Sequence, residues 1–258
     1  MPHVSVGTET LYVAERKLDG SAYPPLVLVH GAGGSHLDWP ASLRRLPGAR
    51  IVAVDLPGHG KSSGSGCEDT QAYAEAVSGL FDALGIARAI VAGHSMGGGI
   101  AQQIALNWPE HVAGLVLIGT GSKLPVAPDL PERVVSDRDA TLPWIVDGSW
   151  SAGALPAWKQ RNLDNLQAVR PDVLRADYLA CQRFDVREQL GRIAAPTLIL
   201  VGSEDRMVPP KFSATLAGRI PNSTLVQIDG AGHMLPLEQA EAVADVVEEW
   251  LAEQTWAS

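Results

Sequence analysis

The pentapeptide Gly93-His94-Ser95-Met96-Gly97 frames Ser95 for nucleophilic chemistry. It follows the apolar run Ala89-Ile90-Val91-Ala92 and precedes the small-residue run Gly97-Gly98-Gly99-Ile100-Ala101. Strand, Gly-x-Ser-x-Gly and helix make a nucleophile elbow, a sharp turn that exposes the hydroxyl. A Cβ at Gly93 or Gly97 would collide where strand and helix come closest. A serine hydroxyl is a weak nucleophile until a base takes its proton. His233 is the candidate base. It lies in Asp229-Gly230-Ala231-Gly232-His233-Met234, after a predicted strand and before the last predicted helix, where a Gly-rich loop can hold the ring over the end of a sheet. The imidazole needs an acceptor that fixes its tautomer. Asp205, in Val201-Gly202-Ser203-Glu204-Asp205-Arg206-Met207-Val208-Pro209, is preferred for its place before the Met-Val-Pro turn, with Glu204 as the rival acid. Asp185 and Asp229 read as a loop residue and a strand-end turn residue.

Acyl transfer also needs backbone N–H groups aimed at the developing oxyanion, and losing one such donor costs about 10²–10³ in rate. The residue after the nucleophile, Met96, supplies one from a helix N-terminus. The other is expected from His30-Gly31-Ala32-Gly33-Gly34, with Ala32 the first choice and Gly33 the second. Gly31 and Gly33 are then expected against the substrate. These glycines lack the spacing of a Walker or dinucleotide loop, which excludes a phosphate cradle. His94 and His59 read as structural, the first beneath the elbow and the second in a turn. No His, Cys, Asp or Glu grouping has metal spacing, so neither a metal nor another cofactor is expected.

The elements that must position these residues follow from hydropathy. Val4 to Val6 and Leu11 to Ala14 read as an opening pair of strands. The apolar runs Leu26–Val29, Ile51–Val54, Ala89–Ala92, Val112–Ile118, Thr197–Val201 and Leu225–Ile228 read as strands buried on both faces. Helical segments lie between them: Leu37 to Leu46, Thr70 to Leu84, Met96 to Asn107, Lys211 to Arg219 and Leu237 to Glu253. This alternation specifies an α/β fold with a mostly parallel sheet covered on both sides. From about Thr120 to Leu190 strands are missing, and Val134–Trp144, Ala157–Gln167 and Pro171–Cys181 look helical. That segment, 120–190, is expected to form a helical cap over the catalytic end of a core made of 1–119 and 191–258. Trp144, Trp150 and Trp158 fall in it, and Trp144 and Trp150 are candidates to line an apolar substrate pocket.

Bulk properties set the outer limits. The 258 residues suit one α/β domain. With 19% charged and 46% hydrophobic residues the chain is globular rather than disordered. A net charge of −9 disfavours nucleic acid and anionic membrane as partners. Cys67 and Cys181 have no metal or redox spacing and read as free thiols of a reducing compartment. Met1-Pro2-His3-Val4-Ser5 carries no basic region before an apolar one, and no apolar stretch approaches the ~20 residues that cross a bilayer. A cytoplasmic monomer or homodimer is expected.

Taken together, these landmarks resemble the α/β-hydrolase family over nearly the whole chain. In family order they are His30-Gly31-Ala32-Gly33-Gly34, Asp55-Leu56-Pro57-Gly58-His59-Gly60-Lys61-Ser62, Gly93-His94-Ser95-Met96-Gly97-Gly98, Asp205 with Val208-Pro209, and Gly232-His233. The resemblance implies an eight-stranded, mostly parallel sheet with a helical cap, a triad of Ser95, Asp205 and His233, and oxyanion donors at Ala32 and Met96. Family dehalogenases and epoxide hydrolases carry aspartate at the nucleophile position, unlike Ser95. Family carbon–carbon bond hydrolases usually have Asn before the serine and a Gly-Pro-Gly loop, and this chain departs from both. The resemblance therefore implies a carboxylesterase acting on a small or medium apolar ester. The alternatives are a lactonase or perhydrolase, a carbon–carbon hydrolase, a cyanohydrin lyase using Lys123 or Lys159, and a non-enzymatic ligand sensor.

Overall fold

In the computed structural model, which describes residues 2–18 and 20–256, eight strands form one sheet in the order β1-β2-β4-β3-β5-β6-β7-β8. They are β1 (His3–Val6), β2 (Glu9–Arg16), β3 (Leu26–Val29), β4 (Ile51–Val54), β5 (Ala89–His94), β6 (Val112–Ile118), β7 (Thr197–Gly202) and β8 (Ser223–Ile228). β1 pairs antiparallel with β2 and β2 antiparallel with β4; every other pairing is parallel. The helices are α1 (Ala41–Arg44), α2 (Thr70–Ala83), α3 (Met96–Asn107), α4 (Leu130–Ser136), α5 (Arg138–Ser149), α6 (Pro156–Ala168), α7 (Pro171–Arg183), α8 (Pro210–Ala217), α9 (Leu235–Glu238) and α10 (Ala240–Glu253).

The central strands are apolar throughout because both faces are covered. Val27 and Val29 join one core with Val52, Val54, Val91 and Leu117, roofed by α2, α3 and α8. Leu26 and Leu28 point the other way and join Ile51, Ala53, Ile90 and Val116, roofed by α1 and α10. Side chains alternate across a strand, so one apolar run serves two cores. Helices α4 to α7 run consecutively between β6 and β7. They gather a third apolar cluster that includes Leu130, Val134, Leu142, Leu166 and Leu174.

Three expected helices are broken. The segment from Leu37 to Leu46 splits at Pro40 into a single 3₁₀ turn, His36–Asp38, and α1. Proline disfavours helical backbone at the residue before it, and Trp39 is extended there (φ −91°, ψ 122°). Val134 to Trp144 is interrupted at Asp137 (φ −140°, ψ 52°), after which α5 runs through Pro143. The final helix begins at Leu235 rather than Leu237 and breaks at Gln239 (φ −129°, ψ 51°). Among the described residues no helix is long and apolar enough to cross a membrane.

α10 carries Val243, Val247, Trp250 and Leu251 onto the second core, and Trp250 is only 4% exposed. Trp250→Ala should therefore cost about 3–5 kcal/mol. Urea unfolding of the two proteins measures it, and a loss below about 1 kcal/mol would show that this helix does not close the core.

Candidate active site

Ser95 stands where β5 becomes α3. It is the one non-glycine residue at positive φ among the described residues (φ 55°, ψ −117°). Such backbone costs about 1–3 kcal/mol unless its surroundings enforce it, and here they do. Ser95 N–H donates to the Ile118 carbonyl at 2.9 Å. The Ser95 carbonyl accepts the Gly98 N–H at 2.9 Å and the Thr120 hydroxyl at 2.8 Å. A Cβ on Gly93 would strike the Gly97 carbonyl, and one on Gly97 would strike the Val29 carbonyl. Only glycine permits this approach of helix to strand.

His233 reaches the serine from the loop between β8 and α9. Its Nε2 lies 2.9 Å from Ser95 Oγ, and its Nδ1 lies 2.8 Å from Asp205 Oδ2. The other oxygen of Asp205 accepts the N–H groups of Met207 (2.9 Å) and Val208 (2.8 Å). One oxygen is thus fixed by the turn and the other is left for the imidazole. An ionised carboxylate only accepts, so the ring proton sits on Nδ1 and Nε2 is free to accept from the serine. The rival acid Glu204 faces away and accepts the Ala152 N–H at 3.0 Å. His94, beneath the elbow, holds the His233 backbone carbonyl through Nε2 at 2.9 Å. Burial, and then the neighbouring His233, lower its pKa to about 3, so it is neutral.

The loop after β3 is pinned on both sides of Ala32. The Gly31 carbonyl accepts the Gly34 N–H at 3.1 Å and faces His30 Nδ1 at 2.8 Å. A trans peptide sets its N–H opposite its carbonyl, so the Ala32 N–H is turned away from that contact, in the wall of the cavity beside Ser95. Gly33, at φ +65°, donates its N–H to Asp177 Oδ2 at 2.7 Å. The second-choice donor, Gly33, is therefore already engaged. The N–H groups of Ala32 and Met96 have no protein acceptor among the described residues. Met96 opens α3, where N–H groups lack intrahelical partners and favour negative charge.

Asp177 lies on α7 and is fully buried. Besides Gly33 it accepts Tyr73 Oη at 2.5 Å and His59 Nε2 at 2.8 Å. His59 Nδ1 faces the Pro57 carbonyl at 3.0 Å. Both ring nitrogens thus face acceptors, and the ring carries both protons. Burial acts to lower the His59 pKa, but the charge and hydrogen bond of Asp177 outweigh it and the net shift is upward. His30, 4.9 Å from His59 between ring centroids, is its neutral counterpart. Its Nε2 accepts the Leu56 N–H at 3.1 Å, which leaves Nδ1 to donate to Gly31. Burial, and then the His59 charge, lower its pKa to about 4.

Ser95 and His233 open into a cavity of about 80 Å³. Gly31, Ala32 and Gly33 form one wall, and Leu124, Val126, Ile145, Leu166 and Met207 make it largely apolar. Asp38, Asn162 and Asn165 supply a polar edge, shared with an adjoining cavity of about 270 Å³. Among the described residues its lining holds no lysine or arginine. The two tryptophans expected to line it do not. Trp144 is 51% exposed, under the Arg133 guanidinium on the outer side of α5. Trp150 is 2% exposed, and its Nε1 donates to Asn162 Oδ1 at 3.0 Å, so it braces a lining residue from the adjoining cavity. Periodicity placed Trp144 on a helix without saying which face meets the serine, and Trp150, outside the expected helices, caps α5. The Lys123 backbone forms an isolated antiparallel bridge with Asp185 and the Lys159 ammonium pairs with Asp147, both outside the cavity lining. No group of three or more His, Cys, Asp or Glu among the described residues is placed to hold a metal.

Residues 26–246 match the alpha/beta hydrolase family, and the chain belongs to it. It is 31% identical over 254 residues to a 2-hydroxy-6-oxononadienedioate/2-hydroxy-6-oxononatrienedioate hydrolase of Burkholderia vietnamiensis, covering 90% of this chain and 88% of that one. It is 28% identical to a pimeloyl-[acyl-carrier protein] methyl ester esterase of Neisseria meningitidis, covering 89% and 94%. Among solved structures, a thermophilic esterase from Thermogutta terrifontis superposes with a TM-score of 0.86 at 26% identity, covering 97% of each chain.

Asp38 was not singled out by the sequence, yet it is the acid on the cavity edge. Its Oδ2 accepts the Ser35 N–H at 3.0 Å. Burial raises its pKa from 3.8 to about 6. A carboxyl with a raised folded-state pKa loses stability as pH climbs between its unfolded and folded values. Asp38→Asn should therefore gain stability over the parent as pH rises from 3.8 to about 6, with the gain level above that. Denaturant midpoints at pH 4.5, 6 and 8 check it; a pH-independent difference would place the carboxyl in solvent.

Proposed function

We propose that the protein is a serine hydrolase of neutral carboxylic esters with a small, largely apolar group at the reacting carbonyl. The observation that carries this reading is the chain Ser95 Oγ–His233 Nε2–Asp205, at 2.9 and 2.8 Å, opening into a small apolar cavity that has a carboxyl and no cation on its wall.

In this mechanism His233 Nε2 takes the Ser95 proton as Oγ attacks the ester carbon. Asp205 holds the resulting imidazolium through Nδ1–H. The carbonyl oxygen becomes an oxyanion between the N–H groups of Ala32 and Met96. His233 returns its proton to the departing alcohol, leaving Ser95 acylated. Water then enters, gives a proton to His233 and attacks the acyl carbon. Collapse of the second tetrahedral intermediate frees the acid and restores the serine. The helical insertion 120–190 acts as the cap that bounds the acyl space, with the adjoining cavity open to the more distant part of the substrate.

Carbon–carbon bond cleavage is the second reading, favoured by the dienedioate hydrolase at 31% identity. A dienedioate carries two carboxylates. Burying either without a cation is costly, and the cavity offers Asp38 instead. His94 before the serine also departs from the Asn usual in that group.

A p-nitrophenyl ester series should show its optimum at acetyl to butyryl. A dicarboxylic half-ester should turn over at least tenfold more slowly than the neutral ester of equal length, and Asp38→Asn should narrow that gap. Ser95→Ala should remove most of the rate, and adding His233→Ala should cost little more, since such residues act as a unit. Faster turnover of a 2-hydroxy-6-oxo-dienoate than of any ester would establish the carbon–carbon reading instead. Multiplicative loss in the double variant would overturn the triad.

A further inference from the structure

The buried carboxylate of Asp177 is the strongest feature that the reaction above leaves unused. It belongs to α7, in the insertion, yet it binds the loop after β3 in the core. Its three partners are Gly33 N–H at 2.7 Å, His59 Nε2 at 2.8 Å and Tyr73 Oη at 2.5 Å, all buried. The insertion also presses on that loop from above. A Cβ at Gly33 would lie 2.7 Å from Leu166 on α6 and 2.9 Å from Leu174 on α7.

The peptide between Ala32 and Gly33 follows the donor peptide in the chain. Left free, a glycine-rich stretch such as Gly31-Ala32-Gly33-Gly34 samples several orientations of its peptide planes. A flip would carry the Ala32 N–H away from the serine. The Gly31 carbonyl is held on the near side by Gly34 and His30. Among the described residues, the hydrogen bond that holds the Ala32–Gly33 peptide on the far side is the one from Gly33 N–H to Asp177. His59, which carries both ring protons, fixes the rotamer and charge of that acceptor.

We propose that Asp177 is a positioning residue for the oxyanion hole: by holding Gly33 N–H it locks the Ala32 donor in place, so that the hole is assembled only while α7 of the insertion is seated. Asp177 touches no reacting atom and acts through Gly33. This rests on the serine-hydrolase reading, with Ala32 as donor.

The test uses the full chain and the variant Asp177→Asn, with active sites counted by fluorophosphonate titration. Asparagine offers one acceptor oxygen to three donors and removes the counter-ion of His59. Losing an oxyanion donor outright costs about 10²–10³; kcat per titrated site should fall about 10- to 100-fold for a loosened one. KM should change less than threefold. The affinity of an aryl trifluoromethyl ketone, whose adduct places an oxyanion in the hole, should fall by the same factor as kcat/KM. A variant with fewer titratable sites but parental kcat per site would reduce Asp177 to a structural role and overturn the proposal.

The parent protein provides a second measurement that does not depend on the variant folding. When the ketone adduct forms, the amide proton resonances of Ala32 and Met96 should move downfield while that of Gly33 stays in place. Movement of Gly33 would mean that Asp177 releases it, and the proposal would fail. Parental turnover in Ser95→Ala would instead remove the underlying reading, a separate failure.

Discussion

The backbone of Ser95 is the constraint on which the rest of this structure turns. Held at φ 55°, it lifts the hydroxyl off the sheet and places the next N–H, that of Met96, at the start of α3. That geometry exists only because glycine lets strand and helix touch, at Gly93 against Gly97 and at Gly97 against Val29. The sheet order follows from the same demand. β5 lies between β3 and β6, so the loops after β3 and β6 flank the elbow. The first brings Ala32, and the second brings Thr120 to brace the Ser95 carbonyl. The loops after β7 and β8, two strands further out, bring Asp205 and His233.

Charge is distributed around this turn by hydrogen-bond logic. His94 and His30 each hold a backbone carbonyl through one nitrogen, are buried, and stay neutral with pKa values lowered to about 3 and 4. His59 has acceptors on both nitrogens and is charged. Only one ring of the close His30–His59 pair is therefore cationic. The charge on His59 is neutralised by Asp177 and lies outside the cavity lining, whose own edge carries Asp38. Under the proposed ester-hydrolase reading, a neutral substrate brings no charge to be desolvated in such a site, and its acid product meets an acidic edge.

Much of this was legible in the sequence because local rules decided it. The strands are found within a few residues of the hydrophobic runs, and those at the centre, buried on both faces, leave an unbroken apolar trace; β8 lies at the sheet edge with Leu225 39% exposed, so its run was not the doubly buried strand expected. The elbow was legible because only glycine fits at two fixed offsets from a serine. His233 and Asp205 are legible by requirement, as the base and the acceptor that a serine needs, each in a loop after a strand. The roles of Trp144 and Trp150 were not legible. A helical period shows that a residue has a face, but not whether that face meets a cavity, a neighbour or solvent. Asp38 and Asn162 likewise reach the cavity through the placement of Pro40 and α6, which no local pattern encodes. Asp177 did leave a trace. It falls on the stripe Val173, Leu174, Asp177, Tyr178 and Cys181, where an acid on an apolar helix face calls for a buried partner.

The energetics of the Asp177–His59 pair bear on why it is there. A buried ion pair contributes little net stability, because desolvating two charges offsets their attraction, and apolar residues of similar volume often serve as well or better. Stability alone would thus be met by apolar residues in place of Asp177 and His59 together. A leucine could not accept the Gly33 N–H, and an unpaired amide would remain buried beside the nucleophile. What the carboxylate supplies is direction. It accepts at one oxygen from a core loop and from a charged ring, at the other from Tyr73, and so fixes the orientation of the peptide that follows Ala32. The insertion thus meets the core twice: α6 and α7 line the cavity beside Ser95 with Leu166 and Tyr178, and α7 holds the Gly33 N–H of the loop that carries Ala32.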